Sequence, residues 1–153
     1  MIISYPKMIK PGTKIEDMVL NTDFAPTMLD LAGVKPPDVM QGKSMVPLFS
    51  GNNAGWRKEF FYEYFSEPQF PRIASTIAVR TERWKYIRYP EIDDIEELYD
   101  LQNDRYELRN LAYDPKHAAT LAEMKQRMEA LMIETKAKEF WEKRIADRKA
   151  TNP

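Results

Sequence analysis

The spacing of apolar positions changes character along the chain. Ile2-Ile-Ser-Tyr5 is a short apolar run stopped by Pro6 and followed by the Lys10-Pro-Gly12 turn signal, a pattern that predicts a strand with neighbours on both faces. From Asn21 to Gly33 the spacing becomes helical, with Phe24, Met28 and Leu31 on one face and Ala25, Leu29 and Ala32 beside them. Thr22 or Asp23 can cap this helix, Pro26 fits its first turn, and Gly33 can end it. A helix apolar around most of its girth is expected to be buried. Pro36-Pro37 then opens a loop that runs through Gln41-Gly-Lys-Ser44 into the apolar turn Met45-Val-Pro-Leu-Phe49. The Gly51-Asn-Asn-Ala-Gly55 cluster after it is the best boundary signal in the chain.

Beyond that cluster, aromatic and β-branched residues dominate. Residues 59–65, 75–80, 83–89 and 97–100 alternate in part between apolar and polar, which predicts an antiparallel sheet of about four strands. Residues 103–110 read as a turn entering a short helix. Pro115 opens a long helix, because Leu121, Met124, Met128, Leu131 and Thr135 keep the three-and-four spacing of one stripe, suited to docking on a sheet. Residues 138–153 are charge-dense apart from Phe140 and Trp141 and are expected to fray. The fold class is therefore α+β: an antiparallel sheet packed against a long C-terminal helix, preceded by a strand and a helix. The expected division is a first part over 1–50 and a second over 56–150.

Length and charge narrow the function classes. A chain of 153 residues holds one domain, or a small domain plus a piece of a larger one, since cores typically occupy roughly 100–200 residues. A formal net charge of −1 provides no basic field for nucleic acid or an anionic membrane, so neither is expected as a partner. Without cysteine there is no disulfide and no thiolate metal site, which leaves the compartment open. No apolar run approaches the roughly 20 residues of a membrane span, and the N-terminal run is too short for a signal-peptide core.

Few residues suggest chemistry of their own. Ser4-Tyr-Pro-Lys7 has the letters of a Ser–Lys nucleophile pair, but Pro6 inside a strand-like run defeats the helical geometry such a pair needs. Asp93, Asp94, Glu96, Glu97 and Asp100 can be read as oxygen ligands for a hard cation, yet lack the spacing and glycine of a calcium loop; a solvated turn between strands is the better account. His117 stands alone and is expected at the surface or at a helix start. The densest constellation is Arg80-Thr-Glu-Arg-Trp-Lys-Tyr-Ile-Arg-Tyr89. Alternation puts Trp84, Tyr86 and Arg88 on one side and Arg83, Lys85 and Ile87 on the other. That strand either buries its rings in the core or offers a cationic aromatic platform to a sulfated sugar or to nucleic acid bases, with core packing favoured.

Two stretches, Val79-Arg-Thr-Glu-Arg-Trp-Lys-Tyr-Ile-Arg88 and Glu97-Leu-Tyr-Asp-Leu-Gln-Asn-Asp-Arg-Tyr-Glu-Leu-Arg-Asn-Leu-Ala112, resemble the C-terminal region of sulfatases, metal-dependent hydrolases of the alkaline-phosphatase superfamily. Residues 2–12 resemble a late strand and turn of the sulfatase catalytic domain, 22–33 the helix after it, and Met40-Gln-Gly-Lys-Ser44 the link to the smaller C-terminal subdomain. The resemblance, which runs to about residue 135, implies a catalytic-domain remnant followed by a subdomain of four antiparallel strands and a helix. It also implies a parent enzyme that uses calcium or magnesium and a formylglycine made from a C/S-x-P-x-R motif. This chain has no such motif, and no position matches the family's metal or sulfate ligands. Arg105 stands where related sequences often have Pro, and Ser75 and Thr76 where some carry His.

Motif and absence together imply a C-terminal sulfatase part that shapes the substrate cleft and packs the missing catalytic domain, inactive alone. The alternative is a free-standing module that binds other proteins or sulfated carbohydrate. Arg72 and Arg80 are the candidate contacts to the anion of a sulfated carbohydrate or aryl sulfate. Members of the family are often exported to the periplasm, the exterior or the lysosome. Separated from its partner, the chain is expected to self-associate through exposed strand edges and apolar patches.

Overall fold

The computed structural model describes all residues but 68, 71, 152 and 153, and the side chains of all of these but 148–151. The chain divides into two compact units, Met1–Lys58 and Glu59–Pro153.

The first unit is poor in regular structure. A 3₁₀ turn at Asn21–Asp23 leads into helix α1, Phe24–Leu31, with Pro26 buried in its first turn. Gly33 closes α1 with φ of 73°: its N–H reaches the Asp30 carbonyl, and the Val34 N–H reaches that of Leu29. A left-handed residue is needed to turn both donors back, and glycine adopts it without a Cβ penalty. Helix α2, Val46–Phe49, supplies Leu48 and Phe49, which with Met45 form a small core against Ile9, Val19, Leu31 and Trp56.

Two expectations fail in this unit. Residues 2–5 form no strand, and Ile2 is 98% exposed. An apolar run becomes a strand only where another strand takes its N–H and C=O groups, and none pairs with it among the described residues. Helix α1 is not buried either: Pro26 and Thr27 face inward while Phe24 and Met28 face out, Met28 at 63% exposure.

The second unit holds the sheet. Strands β1 (Glu59–Tyr64), β2 (Thr76–Thr81), β3 (Trp84–Arg88) and β4 (Glu96–Asp100) pair antiparallel in chain order. Register places Phe61 opposite Val79, Val79 opposite Tyr86, and Tyr86 opposite Leu98. Residues directly opposite share a face, so these four make one apolar row across the sheet. Helix α3, Ala118–Glu134, covers that row with Met124, Met128 and Met132. Leu121 and Leu131 of the expected stripe are partly buried beside it, whereas Met132, outside that stripe, occupies an inner position.

Two corrections concern the second unit. Residues 103–110 are a turn and carry no helix. Short polar side chains compete there for backbone donors: Asp100 accepts from the Gln102 N–H, Asp104 from the Arg109 N–H, and Asn110 from the Leu98 and Ala112 N–H groups. The segment expected to fray is helix α4, Lys138–Thr151, whose Trp141 is wholly buried in the core. Lys136, at φ of 61°, turns the chain between the two helices.

Candidate functional site

The candidate basic and acidic residues of the second unit lie on or beside β2, β3 and β4. Tyr86 is packed in the core and its hydroxyl donates to Glu96 at 2.7 Å, so the aromatic platform of β3 does not form. Arg83 forks onto Asp100 at 3.0 and 2.7 Å and lies over the Trp84 ring. Lys85 reaches Glu107 at 2.6 Å. Core packing and internal ion pairs therefore absorb most of this strand's rings and cations. Arg88 is exposed at the end of β3, where it pairs with Ile77 and Glu96 in the sheet and its charge helps to lower the Glu96 carboxyl.

The acidic residues of β4 are not a solvated turn. Asp100 is buried and accepts from Arg83, Asn103 and Gln102; the Arg83 guanidinium, against the effect of burial, holds its carboxyl down at about 2. Burial pushes the Glu96 carboxyl up, but the Lys125 ammonium and the Tyr86 hydroxyl override it and leave it below its ordinary value. Glu97 accepts from the Tyr89 and Tyr99 hydroxyls at 2.7 and 2.6 Å. Both phenols are raised by burial and by that carboxylate, Tyr89 to about 12. No group of three His, Asp or Glu side chains among the described residues is placed to hold a metal ion. His117 is half-buried at the start of α3, its ring 5.8 Å from that of Trp84.

The two arginine candidates are exposed and stand apart. Arg72 is in the connection from β1 to β2, and Arg80 lies four positions into β2, where it pairs with Lys85 and Phe60. Arg72 thus precedes the start of β2, while Arg80 lies near its far end, next to the turn into β3. Ser75 is buried and accepts the Ser66 N–H at 3.0 Å, tying down the connection that carries Arg72.

Sequence reasoning missed the strongest polar site of the first unit. Asp23 is wholly buried and takes the Leu20 and Lys43 N–H groups together with both Arg57 guanidinium nitrogens. Read as a helix cap, it is instead a hub for residues far apart in sequence. An aspartate before a helix beside an Arg that follows a Gly/Asn cluster carries no spacing signal for such a bond.

The family model described as N-sulphoglucosamine sulphohydrolase, C-terminal, matches residues 1–134. The chain belongs to the sulfatase family, as part of its C-terminal region. This sulfatase region is 35% identical over 132 residues to N-acetylglucosamine-6-O-sulfatase of Bacteroides thetaiotaomicron, covering 84% of the chain and 24% of that protein. Human arylsulfatase K is 36% identical over 112 residues, covering 68% of the chain and 20% of that protein. A solved structure of a protein in complex with its substrate D-glucosamine-2-N,6-O-disulfate is similar at a TM-score of 0.83 and 34% identity, over 89% of this chain and 28% of that one. The chain thus spans about a quarter of the length of the relatives it matches. The α+β class, with four antiparallel strands and a long helix, is that of the sulfatase C-terminal domain.

Proposed function

We propose that this chain serves within a larger sulfatase as the part that walls the substrate cleft and packs the catalytic domain, and that it does not hydrolyse sulfate esters alone. The family match over residues 1–134 carries this reading. Sulfate ester hydrolysis requires an activated nucleophile, charge withdrawal from the sulfuryl oxygens and a proton for the leaving group. The sequence has no cysteine and no Ser-x-Pro-x-Arg from which formylglycine is made, and the described carboxylates of β4 are engaged in the ion pairs and hydrogen bonds of the fold. No catalytic step is therefore assigned to its residues. Formylglycine and a calcium or magnesium ion would come from the rest of the enzyme.

The substrate proposed for the whole enzyme is a sulfated carbohydrate, supported by the relative named for N-acetylglucosamine-6-O-sulfate and by the neighbour bound to a glucosamine disulfate. Arg72 is proposed as a sulfate contact, because it is exposed on a connection tied down by Ser75. Arg80, toward the other end of β2, is proposed to meet a separate anionic group of a long substrate. The exposed apolar residues of the first unit, Ile2, Phe24 and Met28 among them, are proposed to mediate self-association of the isolated chain.

Incubation of the purified chain with an aryl sulfate and calcium or magnesium tests the central claim. No sulfate release above the buffer rate is expected, and metal-dependent release would overturn it.

A further inference from the structure

The two edges of the sheet are finished differently. On β4 the outward backbone groups are taken: the Glu96 N–H donates to the Tyr113 hydroxyl, and the Glu96 carbonyl accepts from the Asn110 amide. The Leu98 N–H donates to the Asn110 side chain and its carbonyl accepts the Leu111 N–H, while the Asp100 carbonyl accepts from Asn103 and Asp104. Directly opposite residues of an antiparallel pair either exchange both bonds or turn away from each other, in alternation. Leu98 turns outward, so Tyr86 turns to β2, Val79 turns to β3, and Phe61 turns outward at the other edge. Glu59 and Glu63, two positions to either side, share that direction. The outward N–H and C=O groups of these three β1 residues have no partner among the described residues.

Nothing in β1 itself guards that edge. The strand has no Lys or Pro, and its register with β2 runs from Glu59 to Tyr64 without a bulge, so the usual devices against edge pairing are missing. Its two carboxylates are engaged within the fold, Glu59 by Arg127 and Glu63 by the Trp141 indole. Just past the strand lies a second unfinished feature. Phe65 stacks on Trp141 and meets the Phe140 ring edge-on at 5.3 Å, yet Phe65 and Phe140 remain 41% and 50% exposed. An open ladder thus ends beside a half-covered aromatic cluster.

Charge and aromatic pairing select a second copy of the strand as the occupant. Two β1 strands can pair antiparallel about a two-fold axis only in registers that set outward residues opposite outward residues. Centring on Phe61 or on Glu63 puts carboxylates directly opposite each other, which is unfavourable, and centring on Phe60 leaves Glu63 beyond the facing strand. Centring on Tyr62 avoids both. It sets Phe61 opposite Glu63, Phe60 opposite Tyr64 and Tyr62 opposite itself, so cross-strand aromatic pairs fill the face away from α3. It also sets Glu59 opposite Phe65, which brings the Arg127 guanidinium held by Glu59 beside the exposed aromatic cluster of the second copy, a favourable cation–ring approach. We propose that two copies of this chain join β1 to β1 in this register, with Tyr62 on the two-fold axis, into one continuous sheet. The proposal deepens the self-association reading and rests on it, but it places the contact on the second unit, away from Ile2, Phe24 and Met28.

Sedimentation equilibrium of the full chain over a range of concentrations, with variants of the exposed Tyr62, is the test. The unaltered chain should reach twice its monomer mass. Tyr62→Lys and Tyr62→Glu should each weaken the dimer about tenfold by setting like charges opposite each other, and mixing the two variants should restore it. That restoration also shows that both variants are folded. Because the chain has no cysteine, Tyr62→Cys gives a lone thiol, and a facing pair of this kind has Cα atoms about 4.5 Å apart, within disulfide reach. Air oxidation should link Tyr62→Cys into a covalent dimer, whereas Glu82→Cys, exposed in the turn between β2 and β3, should stay single. A monomer at every concentration, a dimer indifferent to both charged variants, or equal cross-linking of the two cysteine variants would overturn the proposal. A dimer abolished by Met28→Glu but untouched by Tyr62→Lys would also overturn it, and would leave self-association through the first unit standing.

Discussion

Arg57 and Asp23, 34 positions apart, meet in a two-pronged ion pair of 2.5 and 2.6 Å, in which the carboxylate is wholly buried. The same carboxylate takes the Leu20 and Lys43 N–H groups, so one side chain ties together the entry to α1, the 40–44 loop and the end of the first unit. Burial pushes the Asp23 carboxyl up, but the Arg57 guanidinium and the two N–H donors override it and hold it below its ordinary value. Arg57→Ala leaves that charge without its main partner. The expected loss is about 3–5 kcal/mol, typical of breaking one side of a buried pair. Hydrogen exchange over residues 18–30 should accelerate in this variant, and retained protection would show that the pair is dispensable.

Asp100 gives the second unit an acid limit. Its carboxyl is held at about 2, well below the value of 3.8 for a free aspartate, chiefly by Arg83. A depressed carboxyl stabilises the fold at pH values above the unfolded value and loses that contribution as pH falls through the folded one. The contribution should therefore be whole above about pH 4 and fade between about pH 4 and pH 2. Urea unfolding of Asp100→Asn should show a lower midpoint at pH 6, and a difference from the unaltered chain that shrinks toward pH 2. A difference that stays constant over that range would mean that charge on Asp100 plays no part.

The sheet was legible in the sequence because strand alternation is local. Phe61, Val79, Tyr86 and Leu98 each sit at a position where period two points inward, and register aligns them without further information. Pairings across long separations were not legible. Nothing in the spacing of Asp23 and Arg57, or of Glu59 and Arg127, announces a bond of 2.5 to 2.6 Å. Residues 2–5 looked like a strand because apolarity was all that could be read, while a ladder partner lies outside what pattern reveals. Arg72 and Arg80 were legible as surface cations, but their placement toward opposite ends of β2 needed the fold.

Trp141 shows how one ring in a charged stretch can escape pattern reading. It is fully buried, stacks on Phe65 with ring centres 5.0 Å apart, and its indole N–H donates to Glu63 at 2.6 Å. The ring thus fastens α4 to the end of β1. Trp141→Ala should cost about 3–5 kcal/mol through the cavity it leaves. Trp141→Phe keeps much of the packing but deprives Glu63 of its donor, for a loss of about 1–3 kcal/mol. Chemical denaturation of the two variants should rank them in that order; equal losses would mean that the hydrogen bond contributes as much as the ring.

Gly42 links the first unit's buried carboxylate to a feature of the sequence, the Gln41-Gly-Lys-Ser44 stretch. A Cβ at this position would lie 2.0 Å from the Thr22 carbonyl oxygen and 2.5 Å from its carbon, both backbone atoms. Glycine is required here by close approach of two chain segments. That approach sets the next residue's N–H, that of Lys43, on Asp23 at 2.8 Å. Gly42→Ala must push the loop off the turn before α1, at about 1–3 kcal/mol for overpacking. Because the displaced loop takes the Lys43 donor with it, Asp23 loses a hydrogen bond as well, and the Lys43 amide should exchange faster with solvent. Gly12→Ala is the control: its φ is 77° but no atom lies within 4 Å of the added carbon, so it should cost about 1 kcal/mol and leave the Lys43 amide protected. Equal effects of the two substitutions would show that backbone conformation, and not the approach to Thr22, is what the glycine provides.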